Sequence, residues 1–253
     1  MTKLPFLPTV GKSLKNSLSE LYQAMGYSFI TSLVWFLAMI PVCYLLLTLI
    51  VALPQIIEQS KQINEAAMFV FVISLLISTV NGLLVGPVTT ALFGLYQERK
   101  TDCPNLKSFF KLFKQFYWLA ARVFLVFSLV VSLLVFNLIL MLGEQSLLIY
   151  ISGVFSFYGL CLSMLLSFYF HPLIFYKNKF KDVFKKAFLL LIDNLGVTFG
   201  FGMVVILLFL ASVILLFPLF LLFGAFYIYF MDNGFELIYR KYERADENLA
   251  MEE

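Results

Sequence analysis

With 253 residues, 62% hydrophobic and only 13% charged, the chain falls far short of the roughly 25% charged share of a soluble domain. A mean hydropathy of +0.94 places it among integral membrane proteins. The net charge of +3 is too small to imply a nucleic-acid partner, and what matters is where the lysines stand.

Residues 1–26 read as a cytoplasmic amphipathic segment. Leu14, Leu18, Leu21, Tyr22 and Met25 follow helical spacing on one face, and Lys12, Lys15, Asn16, Glu20 and Gln23 fill the other. The segment lacks the short apolar core and small-residue cleavage site of a secretory signal. A helix needs about 20 apolar residues to cross the hydrocarbon core. Tyr27–Ala52 meets this as the first span, with Pro41 as a kink, and an outer loop follows over Leu53–Ala67. Glu65-Ala66-Ala67 in that loop is a false match to the loop by which transporter permeases dock their ATPase. It falls on the outer side, and Phe71 stands where that motif needs glycine.

The second span, Met68–Leu95, is interrupted at Gly86-Pro87. Proline removes a backbone donor and leaves carbonyls free near the bilayer middle. Asn81, Thr89 and Thr90 lie close enough in sequence to satisfy those groups or to line a polar cavity. Two readings stay open: a packing kink with self-satisfied threonines, or a broken helix at a solute or partner site.

A polar loop holding Cys103 leads to a second amphipathic segment, in which Phe109, Phe113, Phe116 and Tyr117 face away from Lys107, Lys111 and Lys114. The third span is Leu119–Leu142 and the fourth Leu147–Tyr176, with Pro172 near its end. His171, the sole histidine, reads as an interfacial side chain beside that helix break. In the third amphipathic segment Phe180, Val183, Phe184, Ala187 and Leu191 oppose Lys181, Asp182, Lys185 and Lys186. Leu195–Tyr239 is too long for one helix, and Phe217-Pro218 divides it into spans five and six. A five-span arrangement with a re-entrant last segment is the alternative. The charged tail, 240–253, is expected to be cytoplasmic, and Asp246 to Glu253 to be disordered.

Sixteen of the 18 lysines and arginines fall in the N-terminal segment, the two loops after spans two and four, and the tail. Lys61 lies on the opposite side and Arg122 inside a span. The positive-inside rule then puts both termini in the cytoplasm. The expected fold is all-α and polytopic: six helices in three hairpins over 27–239, each hairpin preceded by a basic amphipathic helix suited to an anionic inner leaflet. Each even-numbered span ends on a tyrosine (Tyr96, Tyr176, Tyr239) expected at the wet interface. The pattern suggests three copies of one unit.

Intramembrane charge is costly and often functional. Arg122, Asp193, Asp232 and Glu236 form a candidate charge cluster, with Arg122 expected to clamp one of the acids or to snorkel to the interface. Neither a metal-ligand spacing, a phosphate loop nor a nucleophile elbow is recognisable, so no cofactor and no enzymatic activity are expected. Cys43, Cys103 and Cys161 include no CxxC pair and read as reduced thiols.

The stretch Gly86-Pro87-Val88-Thr89-Thr90-Ala91-Leu92 resembles the Gly-Pro-Ala-Thr-x-Ala-Leu signature of the YesL-like integral membrane family, domain of unknown function 624. Lys107-Ser108-Phe109-Phe110-Lys111 and Phe113 through Tyr117 are similar to that family's aromatic-basic segment. Phe170-His171-Pro172-Leu173 and Lys181 to Asn194 resemble its second half. Val88 in place of alanine and the longer outer loop are departures. The resemblance implies a multi-span bacterial membrane protein with no assigned catalytic mechanism, often found with carbohydrate-uptake transporters. Three functions are weighed: an accessory or scaffold for transporter permease or ATPase subunits; a channel or carrier built on the Gly86-Pro87 break; and a membrane-embedded enzyme acting on lipid carriers.

Overall fold

In the computed structural model, residues 5–60, 63–99, 106–143, 146–176, 178–214 and 220–252 are described, and among them every regular element is helical. The helices are α1 (Phe6–Gln23), α2 (Met25–Ser60), α3 (Ile63–Val80), α4 (Gly86–Arg99), α5 (Leu106–Gly143), α6 (Leu147–Phe175), α7 (Phe180–Asp193), α8 (Leu195–Ile214) and α9 (Phe220–Glu252). A π-helical turn, Asn81–Val85, joins α3 to α4. The fold is therefore the expected all-α polytopic one. Among the described residues four stretches are long and apolar enough to cross a bilayer: Met25–Ile56, Glu65–Arg99, Lys107–Met141 and Leu147–Phe175. The pair α7 and α8, bent by 98° at their junction, brings the count to five when taken as one span. The division expected at Phe217-Pro218 lies outside the described residues.

Three helices meet at the centre. α4, α6 and α9 all touch one another, and their buried stretches, Gly86–Tyr96, Phe168–Ile174 and most of Phe223–Phe235, form the core. Around them α1 and α2 lie on α9, α5 lies on α4 and α3, and α7 and α8 lie on α6. Outside this centre the surface is apolar. Tyr44, Leu47, Phe155 and Leu207 are all exposed, which suits lipid and would be unfavourable in water.

One amphipathic helix, α1, packs in an unexpected sense. α1 buries Thr9, Val10, Ser13 and Ser17 against the protein, while Leu18, Tyr22 and Met25 face outward. Small residues allow close approach to α9, Leu14 and Leu21 pack against the edge of the core, and the rest of the apolar stripe is left for lipid. α7 instead buries the apolar face read from its spacing, with Val183, Ala187 and Leu191 in the core and Phe180 and Phe184 packed against it, and it also exposes Phe188, Leu189 and Ile192.

Both helices end at the same kind of hinge. Ala24, after α1, has φ −125° and ψ 38°, and Asn194, after α7, has φ −127° and ψ 28°. Four residues on, Ser28 and Thr198 are buried, and each shares a hydrogen bond with a tyrosine of a central helix: Ser28 with Tyr229 at 2.8 Å, Thr198 with Tyr169 at 2.5 Å. The first and third units thus repeat. The second departs, because its amphipathic segment runs straight into the span as one 38-residue helix, α5. Trp118-Leu119-Ala120-Ala121 holds good helix formers where the other units have Gly26 and Gly196 just beyond the hinge.

Two expected breaks are absent. α2 carries Pro41 and Pro54 and continues through most of the expected outer loop to Ser60. α9 runs beyond Tyr239 to Glu252 instead of giving way to a disordered tail. Arg240 and Glu236, paired one turn apart at 2.5 Å, carry the helix across that boundary.

Candidate functional site

The largest polar assembly among the described residues lies where α1, α2, α4 and α9 meet. From α1, the Glu20 carboxylate accepts from the Tyr96 hydroxyl and from the Asn233 amide, the latter at 3.2 Å. Asn233 also donates to Ser17 Oγ at 3.2 Å and back to the Tyr229 carbonyl at 3.0 Å. Gln97 donates to the Asp232 carboxylate. Arg99 donates to the Tyr229 hydroxyl at 3.2 Å and lies 5.0 Å from the centre of the Tyr27 ring. The Tyr96 and Tyr229 rings pack at 4.4 Å. Asp232 is 1% exposed and Asn233 6%, so the junction is a buried one.

Local sequence builds this site. Tyr96, Gln97 and Arg99 share the last turn of α4, and Tyr229, Asp232 and Asn233 lie at i, i+3 and i+4 on α9, hence on one face. Two carboxylates, one guanidinium and several neutral donors meet in a low-dielectric setting, where such bonds strengthen only when every partner is supplied. The assembly can bind α1 to the central helices.

Of the residues expected from sequence, only Asp232 belongs to this junction. Tyr96, expected at the wet interface, is 3% exposed and bonded to Glu20, because α1 folds over it. Tyr176 and Tyr239 do stack on each other at 5.9 Å. Glu20, Gln97 and Asn233 were not singled out as site residues. The signal available was their position within a turn of otherwise apolar helix ends.

The Gly86-Pro87 region is a continuous helix rather than a break. The π-turn places the Gly86 N–H on the Asn81 carbonyl, and this wider ring admits Pro87 one residue later. Thr89 and Thr90 turn their hydroxyls back to the carbonyls of Val85 and Gly86, at 2.8 and 2.9 Å. Thr90 also shares a 2.9 Å hydrogen bond with His171 Nδ1. His171 is 5% exposed and stacked on Phe124 at 4.6 Å, a core side chain and not the expected interfacial one. Gly86 is required by that same ring: a Cβ there would stand 2.4 Å from Phe124 Cδ2. Asn81 turns away from the threonines and donates to Ser128 Oγ at 2.6 Å. With Ser78 and Ser132, 2.5 Å apart, it forms a polar seam between α3 and α5.

The expected charge cluster is dispersed. Arg122 donates from Nε to the Trp118 carbonyl one turn back, at 3.0 Å. Asp193 accepts from the Tyr242 hydroxyl at 3.1 Å, Glu236 pairs with Arg240, and Asp232 takes Gln97. For Asp232 and Glu236 the clamp fails for a topological reason: α5 does not touch α9 among the described residues, since α4 and α6 stand between. α5 does touch α7, which ends on Asp193, but that carboxylate takes the Tyr242 hydroxyl while Arg122 turns back to its own helix. Cys43 and Cys161 are free and exposed on the apolar surface, and Cys103 lies outside the described residues.

Residues 61–138 match the family model described as "Protein of unknown function, DUF624". The match covers the Gly86–Leu92 signature and the Lys107–Tyr117 segment, so the resemblance read from those residues is shown over this part of the chain. The stretches around His171 and Lys181–Asn194 lie beyond it. No curated protein and no solved structure matches the chain.

Proposed function

We propose that this multi-span protein, similar to the DUF624 family over residues 61–138, is a non-enzymatic scaffold or accessory subunit of a membrane transport complex. On this reading it sits in the bacterial cell membrane with both termini in the cytoplasm. The observation that carries the proposal is a set of rigidly mounted cationic faces. Lys12, Lys15, Lys111, Lys114, Lys185 and Lys186 are all exposed, while the opposite faces of the same helices are seated on the core through Ser17, Leu112 and Ala187. Fixed cationic faces beside a membrane suit docking of an acidic partner surface without chemistry of their own. A link to carbohydrate uptake rests on the family resemblance alone.

The test is purification of the tagged protein from its native membrane in mild detergent, with mass spectrometry of what accompanies it. Stoichiometric recovery of a permease or ATPase subunit, lost when Lys185 and Lys186 are both changed to glutamate, is the expected result. Recovery of the chain alone counts against the scaffold and favours a carrier. The carrier reading needs space at Gly86-Pro87, a position filled by the Phe124 ring. Solute flux in liposomes through the purified protein would support it.

A further inference from the structure

One face of α5 changes character along its length in the order of a phospholipid. Lys107, Lys111 and Lys114 come first, then Trp118, then Arg122, then the exposed aliphatic Leu129 and Leu133. Spacings of three and four keep these side chains on one stripe. All are exposed, and Trp118 is 71% so. The stripe contains no carboxylate.

Arg122 is the decisive residue. It sits at the start of an apolar span on the outward side of the bundle, with no acid against it among the described residues. A guanidinium facing lipid is costly unless it reaches an anion. Side chains on a helix lean toward its N-terminus, and the Nε bond to the Trp118 carbonyl fixes that direction here. It leaves the two terminal nitrogens as a free planar fork, aimed toward the lysine end. The indole N–H of Trp118, which has no acceptor among the described residues, is one turn away on the same stripe.

The geometry points to a binding site for an anionic phospholipid on this face of α5. Its phosphate is taken by the Arg122 fork and the Trp118 N–H, its acyl chain lies along Leu129 and Leu133, and Lys114 and Lys111 beyond the phosphate favour a headgroup without a cation of its own. A guanidinium matches phosphate in a bidentate manner that an ammonium does not. This site does not rest on the scaffold reading, since a lipid on the flank of α5 needs no protein partner, although it draws Lys111 and Lys114 from the same cationic faces.

The chain has two tryptophans, so Trp35→Phe leaves Trp118 as the reporter. In micelles of the full-length protein, phosphatidylglycerol with brominated acyl chains is expected to quench Trp118 at about fivefold lower lipid content than brominated phosphatidylcholine. Arg122→Gln should abolish that preference. Its Tm should stay at the parent value, because Arg122 holds no other side chain in place. Equal quenching by the two lipids in the parent would overturn the site, as would an undiminished preference in the glutamine variant. Should Arg122→Gln fail to fold, Lys114→Gln is read instead. Its side chain is exposed, and a preference it does not weaken also overturns the proposal.

Discussion

Glu20 shows how one side chain can belong to two descriptions. Helical spacing places it on the polar face of α1, beside Lys12 and Gln23, and that placement is right. What spacing does not reveal is which face meets the protein. α1 turns its small polar face inward because α9 offers Asn233 and the Phe230 carbonyl there, and hydroxyls and carboxylates satisfy such groups better than leucine does. Removing the carboxylate takes away the bond it accepts from the buried Tyr96 hydroxyl and one of the three that the Asn233 amide donates, a loss of about 1–3 kcal/mol in all. Glu20→Ala is therefore expected to lower the Tm in detergent clearly, and Glu20→Gln, which keeps one acceptor oxygen, to fall between it and the parent. Lys15→Ala, on the exposed face, serves as the reference. If Glu20→Ala melts with it, the junction does not hold α1.

At the level of elements, the helices were legible and their joints were not. Apolar run lengths located the first four spans closely, and lysine–aromatic spacing located all three amphipathic segments. Gly86-Pro87 stands out in the sequence, but a proline can be absorbed by a π-turn just upstream, and nothing local separates that outcome from a break. The hinges at Ala24 and Asn194 left only a faint trace, the glycine two residues beyond each. The contact at Gly86 gives a sharp test. Gly86→Ala should cost about 1–3 kcal/mol by overpacking against Phe124. Combining it with Phe124→Leu should return part of that loss, a coupling to be read from a double-mutant cycle of denaturation in detergent. Strict additivity would mean the two residues do not meet in the folded protein.

For the whole molecule, the asymmetry of charge and the convergence of α4, α6 and α9 describe the same end of the bundle. The lysines cluster in sequence just before each odd span and just after each even one. Those are the places where the amphipathic helices are seated on the core. Counting charges could find that end but could not say that three helices meet there, because contacts between distant spans leave no periodic mark. It also suggested the Arg122 clamp, which fails since charge alone says nothing about which helices stand between. The orientation itself is open to direct measurement. With Cys43 and Cys161 on the apolar surface, Cys103 is the thiol in a polar loop, and an impermeant maleimide should label it in inverted vesicles and leave it unlabelled in intact cells. The reverse pattern would invert the topology.

The serine–asparagine seam between α3 and α5 has a consequence for how the chain is made. Ser78 and Asn81 enter the bilayer with the second span, whereas Ser128 and Ser132, which satisfy them, arrive only with the third. Until then those groups must find provisional partners in the insertion machinery or in one another, since hydrocarbon offers none. The first hairpin is thus left adhesive on one side, and it is matched by the next helix to be synthesised. Biogenesis in this protein is then a handover, in which α5 takes up the partners that the first hairpin carries in unmatched.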